Sequence, residues 1–521
     1  MKIGIYDKWL RSLGGGEKVS TVMAEVLSKA KKNNVDLISL YEMDKDFIES
    51  KLNCDLSRVN FVCWYERNFE KLSQKTKAYD LFVNVSFLDH LPTLAKKSIY
   101  YTHFPTPVER NMFGFLKYET LLPFLRKFLI IPEVIRGSDM FGEVGHNIYM
   151  WLAPRNEIMY SNSPEKFLIT FRIYTKKFNF SLMNSIEFGS PNCEISLVNR
   201  SFDHKHNVFS FILKVMSKKS QNAILEIILN DFIQKNSFLL VSFTVHNFRY
   251  FLFNLLKHYF PKLEAALYGS STFEPPAELD TYNLFLANSQ FTKSWVKKYW
   301  DKDSKVLYPP VDVENFNFGK KKDIILNVGR FFIGGHSKRQ DVLVKVFKEM
   351  FDQKMLGSSW QLHLVGSVAQ GEEHENYVSS LQEESKGYPI FFHFSLNFEK
   401  LEKLYSESKI YWHATGFGEN VNKNPISFEH FGITIVEAMA AGCVPIVFAG
   451  GGVSETVGEK AGFVWNSVDQ LKSITKQISE DKRLLERMSK NARAKAMSFS
   501  RKRFAKEFLS YVNSFMNKSK L

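Results

Sequence analysis

The chain falls into stretches of different apolar period. Over roughly the first hundred residues, short apolar runs alternate with helical ones. KIGIYD and NVDLISLY predict strands, and GGGEKVSTVMAEVLSKA predicts a glycine turn that opens a helix. YDLFVNVS and KSIYYTHFP read as further buried strands. A second series of this kind follows Pro309-Pro310. DIILNVGR, WQLHLVGS, KIYWHAT and VPIVFAGG predict strands, while KRQDVLVKVFKEMFDQ, LEKLYSES and RKRFAKEFLSYVNSFM carry apolar residues at helical spacing. Strands alternating with helices imply βαβ units and parallel sheets.

Between the two series the period changes. From Trp151 to Phe260 there are 15 Phe and one Gly, Gly189, so this stretch is set apart in composition as well as pattern. FLITFRIYTKKFNFSL, CEISLV, VFSFILKV and FLLVSFTV alternate with period two, as strands with one buried face do. NAILEIILNDFI leaves strand and helix open. The expected architecture is α/β, with two doubly wound, Rossmann-like domains facing a cleft. The N-terminal domain takes 1–150 and 261–308. A β-rich insertion, a small sandwich, takes 151–260. The C-terminal domain takes 309–496, and a C-terminal helix lies in 497–521. Ligands in such sheets bind at the carboxyl ends of the strands.

Composition narrows the function. The 521 residues suit two to four domains, and 45% hydrophobic with 24% charged residues suits a globular protein with ample core. The net charge of +14 suits an anionic partner: a nucleotide, nucleic acid or an anionic lipid surface. Cys54, Cys63, Cys193 and Cys443 are scattered without a CxxC pair, which argues against a zinc site or a disulfide framework and suits a reducing compartment. The start MKIGIYDKWL reads as a strand entering a fold, so no signal peptide is expected. LLPFLRKFLIIPEVI is broken by Arg126, Lys127 and Pro132 and is too short to span a bilayer. The apolar face of Leu121–Pro132 suits a membrane surface, the core or an acceptor groove alike. His146 and the His204/His206 pair receive no role, because no acidic or Cys partner stands at ligand spacing.

Two motifs carry chemistry. In GRFFIGGHSKRQD, Arg330 ends a strand and Lys338 follows a short loop before a helix. Arg grips two oxygens at once, Lys acts as a point charge, and the helix N-terminus adds partial positive charge, so the group suits a diphosphate. In EHFGITIVEAMAAG, Gly432 precedes a helix from about Ile433, whose first N–H groups lack helical partners and suit an anion. Glu429 stands before that helix and Glu437 about one turn inside it. Carboxylates accept hydrogen bonds in pairs, which suits the vicinal hydroxyls of a sugar or ribose.

With these residues in place, SFEHFGITIVEAMAAGCVPIVFAGGGVSETV resembles the signature of the retaining GT-B glycosyltransferases, a nucleotide-sugar family that includes sucrose and mannosyl transferases. LGGGEKV, YYTHFPTP, LANSQFTKSWVKKYW, LNVGRFF with SKRQD, KIYWHATGFGE and FSRKRFAKEFL agree in order and spacing. The likeness covers roughly 1–110 and 275–515 and leaves out the Phe-rich insertion. It implies a donor held mainly on the C-terminal domain, with the C-terminal helix returning toward the N-terminal one. It implies that Arg330 and Lys338 bind the donor diphosphate and that Glu437 holds the ribose hydroxyls. Glu429 would contact the transferred sugar, with Phe431, Gly432, Ile433 and Thr434 giving backbone contacts. Gly15 and Gly16 would let the N-terminal loop approach the diphosphate, and His103 would lie near the reacting sugar or the acceptor. The spacing of eight from Arg330 to Lys338 is longer than the common family pattern, which leaves Arg339 as an alternative cation.

The resulting expectation is a retaining glycosyltransferase. It would move a hexose such as mannose or glucose from a UDP- or GDP-sugar to a glycan, polysaccharide or lipid-linked acceptor. No metal is required, because no DxD motif ends a strand in the C-terminal half, and no nucleic-acid partner is expected. The location would be cytoplasmic, with the inner face of a membrane as a contact. The alternative is a non-catalytic glycan- or nucleotide-binding protein on the same fold. A phosphorylase ranks lower, since no lysine placed to anchor pyridoxal phosphate is evident.

Overall fold

The computed structural model describes residues 1–517 apart from 41, 65–67, 137–140, 145–146, 153–154, 176–184, 218–221, 230–237, 261–262, 264–265, 268–271, 370–371 and 395. His146 and the KKFNFSLMN stretch lie outside the described residues. Six helices matter below. They are α1 (Gly15–Ser28), α2 (the helical segment 112–128), α3 (Phe248–Tyr259), α4 (Gln340–Asp352), α5 (Ile433–Ala440) and α6 (Arg501–Asn517).

The first series of strands forms a seven-stranded parallel sheet. In space its order is Ser304–Val306, Leu284–Ala287, Lys97–Thr102, Leu81–Asn84, Lys2–Tyr6, Asn34–Ser39 and Val59–Cys63. The second series forms a six-stranded parallel sheet in the order Ile390–His393, Gln361–Val365, Lys322–Val328, Ser408–His413, Val444–Phe448 and Phe463–Trp465. Buried on both faces, these strands are nearly continuous apolar runs, as the sequence pattern predicts. In each sheet the chain order reverses beside the first strand of the series, the doubly wound arrangement with a ligand crevice at the reversal. This is the GT-B arrangement that the resemblance implies.

The middle of the chain forms two antiparallel sheets. Six strands run in the order Cys193–Asp203, Val208–Ser217, Lys166–Thr175, Phe238–Val245, Asn147–Trp151 and Phe141–Val144. Four more are Ile186–Gly189, Ala223–Leu229, Arg155–Tyr160 and Pro132–Arg136. The alternating burial of Lys166–Thr175 shows why period two was legible: Phe167, Ile169, Phe171 and Ile173 point into a shared core. NAILEIILNDFI contributes a strand over Ala223–Leu229. The antiparallel strands begin at Pro132, upstream of residue 151.

One element of this region is a helix instead of a strand. Asn247 caps α3 by accepting from the N–H of Arg249, and Tyr250 and Phe253 enter the same core as the sheets. The aromatic density of the stretch hides a 3.6-residue period behind apparent alternation.

The C-terminal helix crosses to the N-terminal sheet. Phe504, Phe508 and Val512 of α6 sit in one core with Ile3, Val22 and Leu81. Asp312, at the entry to the second series, binds Lys18 of α1 and lies 3.1 Å from Arg501 of α6. Truncating the fully buried Phe508 to Ala removes a ring from that core and costs about 3–5 kcal/mol. Urea unfolding of Phe508→Ala should show that loss, and an unchanged midpoint would mean that α6 does not help hold the N-terminal core.

Candidate active site

A cavity of about 680 Å³ lies between the carboxyl ends of the two parallel sheets. Gly15, Gly16 and His103 line it from the first sheet. Arg330, Lys338, Glu429 and the turn Phe431, Gly432, Ile433 and Thr434 line it from the second. Arg330 enters because Lys322–Val328 ends two residues earlier, at the strand reversal. Glu437 is the one predicted residue that does not line the cavity. It stands one turn into α5, half-buried, with Oε2 accepting from Tyr405 Oη at 2.9 Å and Lys18 close enough to influence it.

The turn before α5 explains its glycine. Gly432 has φ of 86°, a left-handed value, and an added Cβ would meet Ile435 Cδ1 at 2.6 Å. From that turn the first N–H groups of α5 start a helix without internal partners. A strand and a short helix fix the turn: Tyr411 Oη of Ser408–His413 is 2.8 Å from Thr434 Oγ1, and Thr456 Oγ1 of the helix Val453–Val457 donates to the Phe431 carbonyl at 2.8 Å. Gly15 and Gly16 allow close approach from the other side. A Cβ on Gly15 would stand 2.5 Å from Ile433 Cδ1 across the cleft, and one on Gly16 would stand 3.3 Å from the His103 ring.

The charge at the cavity floor is organised by one ion pair. Lys338 Nζ donates to Glu429 Oε2 at 2.6 Å, with side chains only 18% and 16% exposed. His336 and His413 each place Nε2 3.9 Å from the same carboxylate. Burial by itself would raise the Glu429 pKa. The Lys338 ammonium outweighs it, and Glu429 is held well below the usual carboxylate range. Arg330 brings positive charge to the same wall and reaches far enough to act on Glu17. The alternative cation is engaged elsewhere: Arg339 is bound by Asp341 at 2.9 Å and donates to the Phe417 carbonyl. The geometry therefore puts Lys338 in the cavity and turns Arg339 away from it.

His103 is half-buried and neutral. Burial lowers its pKa to about 4, and Nε2 lies 2.8 Å from the Val85 carbonyl. The carbonyl can only accept, so Nε2 carries the proton and Nδ1 remains an acceptor.

Glu17, His430 and the two imidazoles beside Glu429, His336 and His413, escape the sequence reading. Glu17 lines the cavity, its carboxylate accepting from the Gly14 N–H at 2.7 Å and its pKa raised chiefly by burial. His430 stacks on Phe104 of the facing domain, with ring centroids 4.2 Å apart and planes 11° from parallel. The EKV following the glycines was the available signal for Glu17. Nothing local marks the His430 stack.

Elsewhere one expectation changes. His206 does have an acidic partner, since its Nδ1 lies 2.7 Å from Asp203 Oδ2. The carboxylate also accepts the backbone N–H of Lys205 at 2.9 Å, so the pair closes a hairpin turn. Among the described residues no helix is long and apolar enough to cross a membrane.

The imidazoles around the cavity, His413 buried and His103, His336 and His430 half-buried, predict a pH response. Burial is the leading cause that lowers His103 and His336 to about 4 and His413 to about 3, and it lowers His430 well below the ordinary value. Free imidazoles titrate near 6.5. Between about pH 6.5 and 4 the unfolded chain therefore binds more protons at these sites than the folded one, and stability falls as pH falls. Asp7, raised to about 7 by burial, and Glu17 and Glu437, raised chiefly by burial, act in the opposite direction and partly offset this loss. Thermal melts should lose midpoint steadily across this window, and His413→Asn should flatten the slope. A midpoint constant from pH 7 to 4.5 would mean that the folded protein takes up these protons freely.

With the geometry described, comparisons with known proteins place it. Residues 311–495 match the family described as Glycosyl transferases group 1. A GDP-Man:Man(3)GlcNAc(2)-PP-Dol alpha-1,2-mannosyltransferase of Dictyostelium discoideum is 25% identical over 283 residues, covering 48% of this chain and 54% of that protein. The Homo sapiens protein of the same name is 28% identical over 253 residues, covering 44% and 48%. The chain thus spans about half the length of the curated relatives it matches. Among solved structures, a sucrose-phosphate synthase from Thermosynechococcus elongatus superposes with a TM-score of 0.50 at 12% identity, covering 99% of this chain and 100% of that one. A glycosyltransferase from Rickettsia africae does so with a TM-score of 0.50 at 13% identity, covering 99% and 98%. These likenesses show the shared fold. The residues that match the glycosyl transferases group 1 model are those of the domain that carries Arg330, Lys338, Glu429 and α5.

Proposed function

We propose that the chain transfers a hexosyl group, mannose first among candidates, from a nucleotide-diphosphate sugar to a lipid-linked glycan with retention of configuration. One observation carries the reading. Arg330, the Lys338–Glu429 pair and the N-terminus of α5 converge on one cavity at the strand reversal. The names of the relatives, which specify GDP-mannose and a dolichol-linked glycan, support the donor and the acceptor class.

Departure of a nucleoside diphosphate builds negative charge on the β-phosphate. Arg330, Lys338 and the N–H groups of Ile433 and Thr434 stabilise that charge without moving, because the fold has already oriented them. Lys338 has three donors, so its bond to Glu429 leaves others for phosphate. Glu429, ionised and fixed, faces the transferred sugar and favours positive charge at its anomeric carbon. His103 accepts a sugar hydroxyl at Nδ1, and Glu437 accepts the ribose hydroxyls. Gly15 and Gly16 let the N-terminal loop close on the donor. The acceptor enters from the N-terminal domain, at the cytoplasmic face of a membrane.

Thermal shift with GDP, UDP and ADP tests the donor, since a ligand at about 100 times its Kd stabilises by about 2.7 kcal/mol. GDP should stabilise most. Labelled GDP-mannose should then give a product whose linkage keeps the α configuration by NMR. Binding without any transfer to glycan acceptors would favour a nucleotide-binding protein on the same fold.

Glu429→Gln should lower kcat about 10²–10³-fold with KM for the donor little changed. Arg330→Ala should raise that KM. Full turnover by Glu429→Gln would remove Glu429 from the chemistry.

A further inference from the structure

The β-rich body exposes aromatic residues that its core does not use. On α3, Phe248, Phe251, Leu255 and Tyr259 form one stripe at helical spacing, with Phe248 68% and Tyr259 67% exposed. The opposite face of the same helix, through Tyr250 and Phe253, is in the core. On α2, Phe113 is 85% exposed and Phe124 61%, while Leu122 faces inward. The two helices adjoin. Arg249 of α3 donates to the Phe128 carbonyl at the end of α2 at 3.5 Å, and to the Asn162 carbonyl at 2.9 Å. Stacked pairs, Phe124 on Phe128 and Phe248 on Phe251, flank that junction.

The charge around this apolar surface is mainly positive, although Lys117 is paired with Glu109 at 3.2 Å. Helix α3 carries Arg249 and Lys257 and no acid. Helix α2 carries Lys117, Arg126 and Lys127 against a single Glu119. At the junction Lys127 and Arg249 line a cavity of about 540 Å³ together with Asn162, Asn192 and Asn222. The amide donors of Asn162 and Asn192 are spent on backbone carbonyls, so the two cations are the groups that meet phosphate oxygens. A second copy of the chain would set one basic rim against another. A bilayer with anionic headgroups matches both features, because amphipathic helices with Phe and Leu on one face and Lys and Arg beside it lie in the membrane interface.

We propose that α2 and α3 form one docking face for an anionic lipid bilayer, with a headgroup phosphate taken by the Lys127–Arg249 cavity. The proposal deepens the reading of a lipid-linked acceptor and rests on it for purpose, though not for geometry. The β-rich body then holds the cleft beside the membrane that carries the acceptor.

Flotation of the full chain with phosphatidylcholine vesicles, with and without phosphatidylglycerol, tests it. The protein should float with the anionic vesicles and only weakly with the neutral ones. Replacing four exposed rings (Phe113→Ser, Phe124→Ser, Phe248→Ser, Phe251→Ser) should cut partitioning about ten-fold or more, as should Lys127→Glu with Lys257→Glu. Both variants should keep the melting midpoint and the nucleotide-induced thermal shift. Equal flotation of wild type and variants would overturn the proposal. So would a wild-type dimer that becomes monomeric in the four-ring variant without any vesicle binding. Failed docking with an intact nucleotide shift leaves the glycosyltransferase reading standing, and docking without any nucleotide shift removes that reading alone.

Discussion

The ion pair between Lys338 and Glu429 is the interaction on which the site depends. It joins the loop after the first strand of the C-terminal sheet to the turn before α5, 91 residues apart in sequence. Two charges withdrawn from water need each other, and removing either partner alone leaves an uncompensated charge that costs about 3–5 kcal/mol. The pair therefore fixes both loops at once. It also keeps a carboxylate ionised in a buried place, surrounded by imidazoles that burial holds neutral. The result is a floor with one fixed carboxylate beside a cationic side, which Arg330 and the start of α5 extend.

The second requirement is that the two domains meet closely. Glu455 of the C-terminal domain accepts the N–H groups of Gln290 at 2.9 Å and Phe291 at 3.1 Å, capping a helix of the N-terminal domain. The stack of His430 on Phe104 and the approach of Gly15 to Ile433 lie on the same seam. At the far end, Asp312 ties Lys18 of α1 to Arg501 of α6. These contacts along the seam position the glycine turn of α1 over the cavity.

Most of the fold was legible because its signals are local. Buried parallel strands are apolar runs, and Gly432 before ITIVEAMAA marks a helix start whatever surrounds it. Arg330, Lys338, Glu429 and the turn to Thr434 could be found as a set because each stands at a strand end or helix start. What the sequence hid depends on distant partners. Whether Lys338 or Arg339 faced the cavity turned on Asp341 and the Phe417 carbonyl, which hold Arg339 aside. The helix Phe248–Tyr259 was hidden in a stretch expected to be β-rich, because aromatic residues occupy both of its faces. Those outer aromatics serve no core, so no folding pattern could have accounted for them. Glu437, to which the resemblance gave the ribose hydroxyls, does not line the cavity, and its carboxylate accepts from Tyr405.

That position makes Glu437 the sharpest point of the account, in which one donor spans from sugar to ribose between the two glutamates. A structure with GDP bound measures this directly. The account predicts the diphosphate on Arg330, Lys338 and the N–H groups of Ile433 and Thr434, with ribose hydroxyls on Glu437. A diphosphate seated away from the start of α5, or a ribose that leaves Glu437 bound only to Tyr405, would contradict it.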